Sequence, residues 1–265
     1  MRTLCLNQKS CKNLSLQEFL RYAKDFYGVE LDANNITKFL SNDNSLKDLP
    51  ELMSIYSFKS INVLTLTDFS LNSETNFKLK TLPQLEKMMR YTYKLECNLI
   101  TVQPSSLKDN LIANVPLKRR IIKKTRERIE RIRKIASDND LKIGFEYTAS
   151  EKSSIGSLKE AIETVQPLEY KEHIGYIIDT FNFRRNVSEY GMLEEISEFI
   201  YLIQICDFQN GDTPREKRIF PGLGDFDFHA FFTFLRKIGY RNTYSLETAK
   251  VDCSQNLYKK FYRIF

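Results

Sequence analysis

Ile174-Gly175-Tyr176-Ile177-Ile178-Asp179 is a continuous apolar run that ends in a carboxylate. A run that is apolar at every position describes a strand covered on both faces, and such strands build parallel sheets flanked by helices. Three other runs in the second half have the same form: Ile143-Gly144-Phe145-Glu146, Tyr201-Leu202-Ile203-Gln204 and Tyr244-Ser245-Leu246-Glu247. Each closes on an oxygen-bearing side chain. In barrels and open α/β sheets the chemistry sits at the C-terminal ends of the strands. Three carboxylates and one amide gathered there repel one another unless a cation neutralises them, so the four residues are expected to form a metal site. The alternative for each is a strand end whose side chain meets a backbone donor.

Outward from these runs, strand-like and helix-like segments alternate along the chain. Leu4 to Asn7, Val29 to Asp32, Ile61 to Leu66 and Asn98 to Val102 read as four earlier strands. Helical periodicity separates them: Ser15 to about Tyr27, with Ser15 and Glu18 spaced as a capping box, then Asn34 to Leu40, Leu46 to Tyr56, and Leu82 to Leu95. In the second half helices are expected over 157–165, 193–199, 226–238 and 257–265. Eight strands with intervening helices match a (β/α)₈ TIM barrel formed by a single domain over residues 1–265. The rival is an open doubly wound sheet, which calls for a Gly-rich first turn that Leu4-Cys5-Leu6-Asn7-Gln8 lacks.

Composition narrows the class further. At 265 residues, 42% hydrophobic and 28% charged, the chain suits one ordinary globular domain. No apolar stretch reaches membrane-spanning length, and the N-terminus lacks a secretory core, so cytoplasmic residence is the expectation. The five cysteines are scattered and read as reduced thiols without a zinc signature.

The net charge of +6 is local in origin. Residues 116–136 hold ten Lys/Arg against Glu127 and Glu130. That density resembles a nucleic-acid footprint. Yet Leu117, Ile121, Thr125, Ile129, Ile132 and Ala136 recur at helical spacing, and no aromatic residue interleaves the cations for base stacking. A solvated outer helix is the favoured reading, and a nucleic-acid partner is not expected.

Four ordered motifs between Lys142 and Thr248 carry a resemblance to a known family. The stretch Ile174 to Phe183 resembles "G-hydrophobic-D-T-F-H-F", and Ile203-Gln204-Ile205-Cys206-Asp207 resembles "v-(H/Q)-i-x-D". Arg218 to Asp225 resembles "R-x-l-P-G-E-G-D", and Gly239-Tyr240 with Tyr244 to Glu247 resembles "G-Y-x-G-x-x-S-x-E". Together they resemble the xylose isomerase-like TIM barrels, the sugar phosphate isomerase/epimerase superfamily that also contains the apurinic endonuclease barrels. Residues 1–140 match only as generic barrel.

The resemblance implies Glu146, Asp179, Gln204 and Glu247 as ligands of one divalent ion, Mn²⁺ or Mg²⁺ first, with Co²⁺ or Zn²⁺ as substitutes. It implies Glu146 and Glu247 as the acid/base pair, and Asn182, Arg218 and Asp207 as substrate-binding residues. Oxygen-only ligands agree with a hard cation. A cation that chelates a carbonyl and its neighbouring hydroxyl eases loss of the proton between them, and a carboxylate on each side can move that proton. Two departures stand out: Asn182 replaces a substrate-contacting His, and Leu223 replaces the Glu of the "PGEG" loop. Arg218 has an alternative reading as a surface partner of Glu216 or Asp225. Arg184 and Arg185 are weaker substrate candidates. Phe181, Phe183, Phe226 and Phe228 either wall the pocket or pack. His173 is expected at the far rim, and His229 on a helix surface or in packing.

The expected function is a divalent-metal-dependent isomerase or epimerase of a small sugar, keto-sugar or polyol. The runner-up is a metal-dependent dehydratase of an inosose or dehydroshikimate-like keto acid, which begins with the same proton abstraction. A non-catalytic barrel that retains the metal site is third. An endonuclease is last, because that branch uses a His-rich zinc cluster and this chain has two histidines. A homodimer is left open.

Overall fold

The structure is a computed structural model that describes residues 3–107, 115–150, 152–168, 172–183, 190–209, 217–249 and 257–264. Arg184, Arg185, Glu216 and Cys253 lie outside the described residues. Eight strands form a closed parallel barrel: β1 (Leu4–Asn7), β2 (Gly28–Asp32), β3 (Ser60–Leu66), β4 (Leu99–Val102), β5 (Lys142–Phe145), β6 (Ile174–Asp179), β7 (Ile200–Ile205) and β8 (Thr243–Leu246). Each pairs with its neighbour in sequence, and β8 closes on β1 through Cys5 opposite Ser245. This is the TIM barrel expected from the runs.

The helices are α1 (Leu16–Ala23), α2 (Ala33–Leu40), α3 (Asp48–Ser54), a short α4 (Glu74–Asn76), α5 (Leu82–Lys94), α6 (Val115–Ser137), α7 (Leu158–Val165), α8 (Thr180–Phe183), α9 (Tyr190–Glu195), α10 (Phe228–Lys237) and α11 (Leu257–Tyr262). Helix α1 begins as its sequence dictates: Ser15 accepts from the Glu18 N–H and Glu18 returns a bond to Ser15. Its stripe Leu16, Phe19, Leu20 and Ala23 is buried. The helix stops four residues before the expected Tyr27, because the chain must turn into β2 at Gly28. A Cβ there would collide with the Ser60 carbonyl and the Cys5 sulfur. The helix expected over 193–199 divides into α9 and a 3₁₀ turn, Ser197–Phe199.

The basic segment is α6, and much of its charge is used within the chain. Arg128 and Arg131 both reach Glu74, at 2.7 and 3.0 Å, and their guanidinium groups lie over the Phe77 ring. Lys118 pairs with Glu160 at 3.0 Å and Arg133 with Glu130 at 2.8 Å. Lys124 and Arg126 donate to the carbonyls of Leu71 and Thr164. These bonds tie α6 to its neighbours and favour the structural reading of the segment. No described helix is long and apolar enough to cross a membrane.

Candidate active site

Glu146, Asp179, Gln204 and Glu247 all lie at the C-terminal ends of their strands, and all are buried. Asp179 is the register partner of Gln204 across β6 and β7, which places both side chains on the inner face. Glu146 Oε2 and Gln204 Oε1 are buried without a hydrogen-bond partner. A buried oxygen left bare costs free energy, so each marks a place where a donor or a cation belongs.

Two cations, absent from the sequence reading of the ligand set, share this mouth. Arg218 donates to Asp179 Oδ2 and approaches Glu247 Oε1 at 3.7 Å, with its guanidinium 4.8 Å from the centre of the Phe181 ring. Lys9, in the turn after β1, stands 4.0 Å from the same Glu247 oxygen. Arg218 thus reaches into the mouth and is paired there with two of the proposed ligands. Burial of Asp179 opposes its ionisation and the guanidinium opposes that effect, with its pKa raised on balance.

A third group was missed altogether. Glu30, in the middle of β2, is buried and accepts from Asn7, Asn62 and Gln204. Its pKa rises to about 7, first through burial and then through the Glu247 charge. That of Glu146 rises to about 8, with burial again the main cause, Lys9 opposing it, and Glu247 and Asp179 adding to it. The available signal was an acid inside the apolar run Val29-Glu30-Leu31, where only a paired carboxylate is tolerated.

Four buried carboxylates thus face two cations, leaving two negative charges when all are ionised. Among the described residues no three His, Cys, Asp or Glu side chains come together around one ion position, and Arg218 bridges two of the proposed ligands. The oxygen donors, the charge deficit and the two bare oxygens nevertheless fit a hard divalent ion.

A pH dependence follows. Protonation of Glu30 and Glu146 is favoured by folding, so this contribution is complete below the usual carboxylate range and is lost as pH rises through about 7 and 8. Tenfold in proton affinity is about 1.4 kcal/mol, and about 1 kcal/mol moves Tm by roughly 2–4 °C in a chain of this size. Protein treated with a chelator is expected to melt on the order of 5–10 °C lower at about pH 9 than at about pH 6. Added Mn²⁺ should flatten the curve. A melting temperature that climbs over that range would remove the carboxylate account.

Two expected substrate contacts are bonded to backbone within the chain. Asp207 accepts four backbone bonds: from Phe208 and Phe226 at Oδ1, and from Gly222 and Gly224 at Oδ2, all between 2.8 and 3.1 Å. With its oxygens so engaged it moulds the 218–226 loop. The glycines of that loop have a local reason too: Gly222 has φ +83°, and a Cβ at Gly224 would collide with Asp207 and the Phe208 carbonyl. Replacing Asp207 with Asn turns an N–H donor toward two backbone donors. The expected cost is about 2–4 kcal/mol, visible as a lower Tm and faster proteolysis within 218–226.

Asn182 is the second. Its Oδ1 accepts from the Ala149 N–H and its Nδ2 donates to the Tyr147 carbonyl. The amide pins the loop after β5, which carries Glu146. Of the four phenylalanines, Phe183, Phe226 and Phe228 join an aromatic cluster with Phe231, Phe232 and Tyr190, and only Phe181 reaches the site, through Arg218. Leu223 is exposed on its loop. His229 is exposed, and His173 precedes β6 at the opposite rim.

A family model described as xylose isomerase-like TIM barrel matches residues 20–260. The chain belongs to this family. Among similar proteins, an inosose isomerase of Bacillus velezensis is 23% identical over 253 residues, covering 92% of this chain and 87% of the relative. An inosose isomerase of Halalkalibacterium halodurans is 22% identical over 259 residues, covering 95% and 89%. A crystal structure of the IolI protein with a bound zinc atom superposes with a TM-score of 0.87 at 20% identity, over 99% of this chain and 96% of that one. A D-tagatose 3-epimerase-like protein gives 0.78 at 18% identity, over 99% and 96%. At these identities the structural likeness concerns the fold.

Proposed function

We propose that this protein is a divalent-metal-dependent isomerase or epimerase that moves a proton next to the carbonyl of a small sugar, keto-sugar or polyol. The observation that carries the reading is the pair of buried carboxylates, Glu146 and Glu247, ending β5 and β8, with Asp179 and Gln204 ending the two strands between them. Glu146, Asp179, Gln204 and Glu247 would hold the ion, with Mn²⁺ or Mg²⁺ preferred by an all-oxygen set and Zn²⁺ supported by the zinc-bearing neighbour. When bound, the ion would polarise a substrate carbonyl and stabilise the charge that develops beside it.

The chain's own groups supply the rest. Glu146, with one oxygen lacking any partner, is placed to accept a proton, and Glu247 to return one from another side of the mouth. Arg218 and Lys9 offer donors to substrate oxygens. A cavity of about 900 Å³ opens beside this mouth, over the loops after β3, β4 and β5. Asp68, Asn72, Gln103, Ser106, Thr148 and Ser150 line it with hydroxyl-matching donors and acceptors. Such a lining, which also includes Lys152, suits the hydroxyl groups of a polyol. The relatives named inosose isomerase support a cyclic keto-polyol as the first substrate to try.

The test is incubation of Mn²⁺-loaded protein with inososes and ketohexoses in D₂O. Deuterium at the carbon next to the carbonyl, together with a new stereoisomer or a shifted carbonyl, is the expected result. An ultraviolet-absorbing enone would reassign the reaction to dehydration. Absence of exchange with every ketose, in protein shown to hold metal, would leave a barrel that binds the ion without this chemistry.

A further inference from the structure

Between the two mouths of the barrel three side-chain amides converge on one carboxylate. Asn7 Nδ2 donates to Glu30 Oε1 at 3.0 Å, Asn62 Nδ2 to Oε2 at 2.9 Å, and Gln204 Nε2 to both oxygens at 3.3 and 3.1 Å. All four residues are buried. Barrel interiors are ordinarily filled by branched apolar side chains, and a buried polar layer is costly unless its groups are paired. Nothing in the proton transfer described above requires Glu30.

Its effect falls on Gln204. A primary amide has two ends of nearly the same shape, and only the oxygen end can ligate a cation. Glu30 offers two acceptor oxygens, so the flipped amide would set Oε1 against a carboxylate and leave two N–H donors where the ion belongs. The observed orientation points Nε2 at Glu30 and leaves Oε1 buried without a partner. The same hub reaches a second proposed ligand, because the other Asn7 N–H holds Glu247 Oε2 at 2.7 Å. That leaves Glu247 Oε1 facing Lys9 and Arg218.

We infer that Glu30 is a positioning residue that locks the Gln204 amide with its oxygen toward the site, and that this lock is what makes a glutamine serviceable as a metal ligand. The inference rests on the proposed ligand set. Outer partners of this kind set metal affinity by holding ligands in orientation.

The experiment is a Mn²⁺ titration of wild type, Glu30→Gln, Gln204→Glu and the double variant, with side-chain amide NMR of the metal-free wild type. Glu30→Gln is expected to weaken Mn²⁺ binding by about 10–100-fold, since the new amide accepts less and tolerates the flip. In the Gln204→Glu background both ligand oxygens are equivalent, and Glu30 there adds only like charge. The same substitution should then leave binding unchanged or tighter. In wild type the Gln204 amide protons should be protected from solvent exchange and lose that protection in Glu30→Gln. Equal weakening in both backgrounds would reveal a merely structural role and overturn the inference, as would unaltered binding in Glu30→Gln. If wild type takes up no Mn²⁺, the metal reading fails, while the amide protection still decides whether Glu30 orients Gln204.

Discussion

Replacing Glu247 with glutamine is expected to lower metal-dependent deuterium exchange into a ketose substrate by about 10²–10⁴-fold, the usual loss when a positioned acid/base group is removed. The geometry predicts that the fold survives. A glutamine carbonyl can still accept the Asn7 N–H that Glu247 Oε2 accepts at 2.7 Å. What is lost is the charge on the other oxygen, where an amide nitrogen would face Lys9 and Arg218, both donors. Glu146→Gln should fall by a similar factor, because its unpartnered oxygen is the other end of the proposed proton path. The measurement is mass-spectrometric deuterium uptake at saturating Mn²⁺, with Tm recorded alongside. If either variant, with metal bound and fold intact, exchanges protons at the wild-type rate, that carboxylate is not the base.

The second large effect is expected at Arg218. Replacing it with methionine keeps much of the stem that lies against Phe181 and removes the guanidinium from Asp179 and Glu247. Breaking a buried pair by deleting one partner typically costs about 3–5 kcal/mol, because the other charge stays buried. Asp179 has no exposed surface, so the full-size effect is expected in the metal-free protein. The sign for Mn²⁺ is opposite. A fixed positive charge resting on two ligands competes with the ion, and its removal should tighten binding by on the order of tenfold. Binding to the folded state alone then returns stability by mass action. Thermal melts with and without Mn²⁺ decide the matter: a variant that stays destabilised at saturating metal would show that Arg218 supports the fold by some other route.

The barrel was legible in the sequence because periodicity is a local property. Runs such as Ile174 to Asp179 fixed strand type, and their polar ends indicated which rim to inspect. The sequence was silent where a side chain's partner is backbone or lies far along the chain. Asp207 and Asn182 have the residue types of a binding site, yet both answer to N–H and C=O groups that only the folded loops present. Lys9 and Asn7 reach Glu247 because β8 closes on β1, which joins positions 240 residues apart. No spacing rule sees that closure. Glu30 escaped notice for another reason: a mid-strand acid breaks the apolar pattern without ending it. For the charge on α6 the amphipathic spacing was the available argument, since an arginine over Phe77 cannot be distinguished by composition from one held out to solvent.

The hydrophilic centre of the barrel has a consequence for where the molecule's resistance to heat resides. With Asn7, Glu30, Asn62, Thr101 and Gln204 occupying the inner layer, oily contacts are concentrated in the annulus between sheet and helices, among residues such as Phe19, Leu20, Leu85, Ile129, Ile132, Ala161 and Leu235. Durability and chemistry are therefore held in separate concentric shells. An engineer can repack the outer shell for hardiness, and evolution can retune the inner one for a new ketose, with little interference between the two.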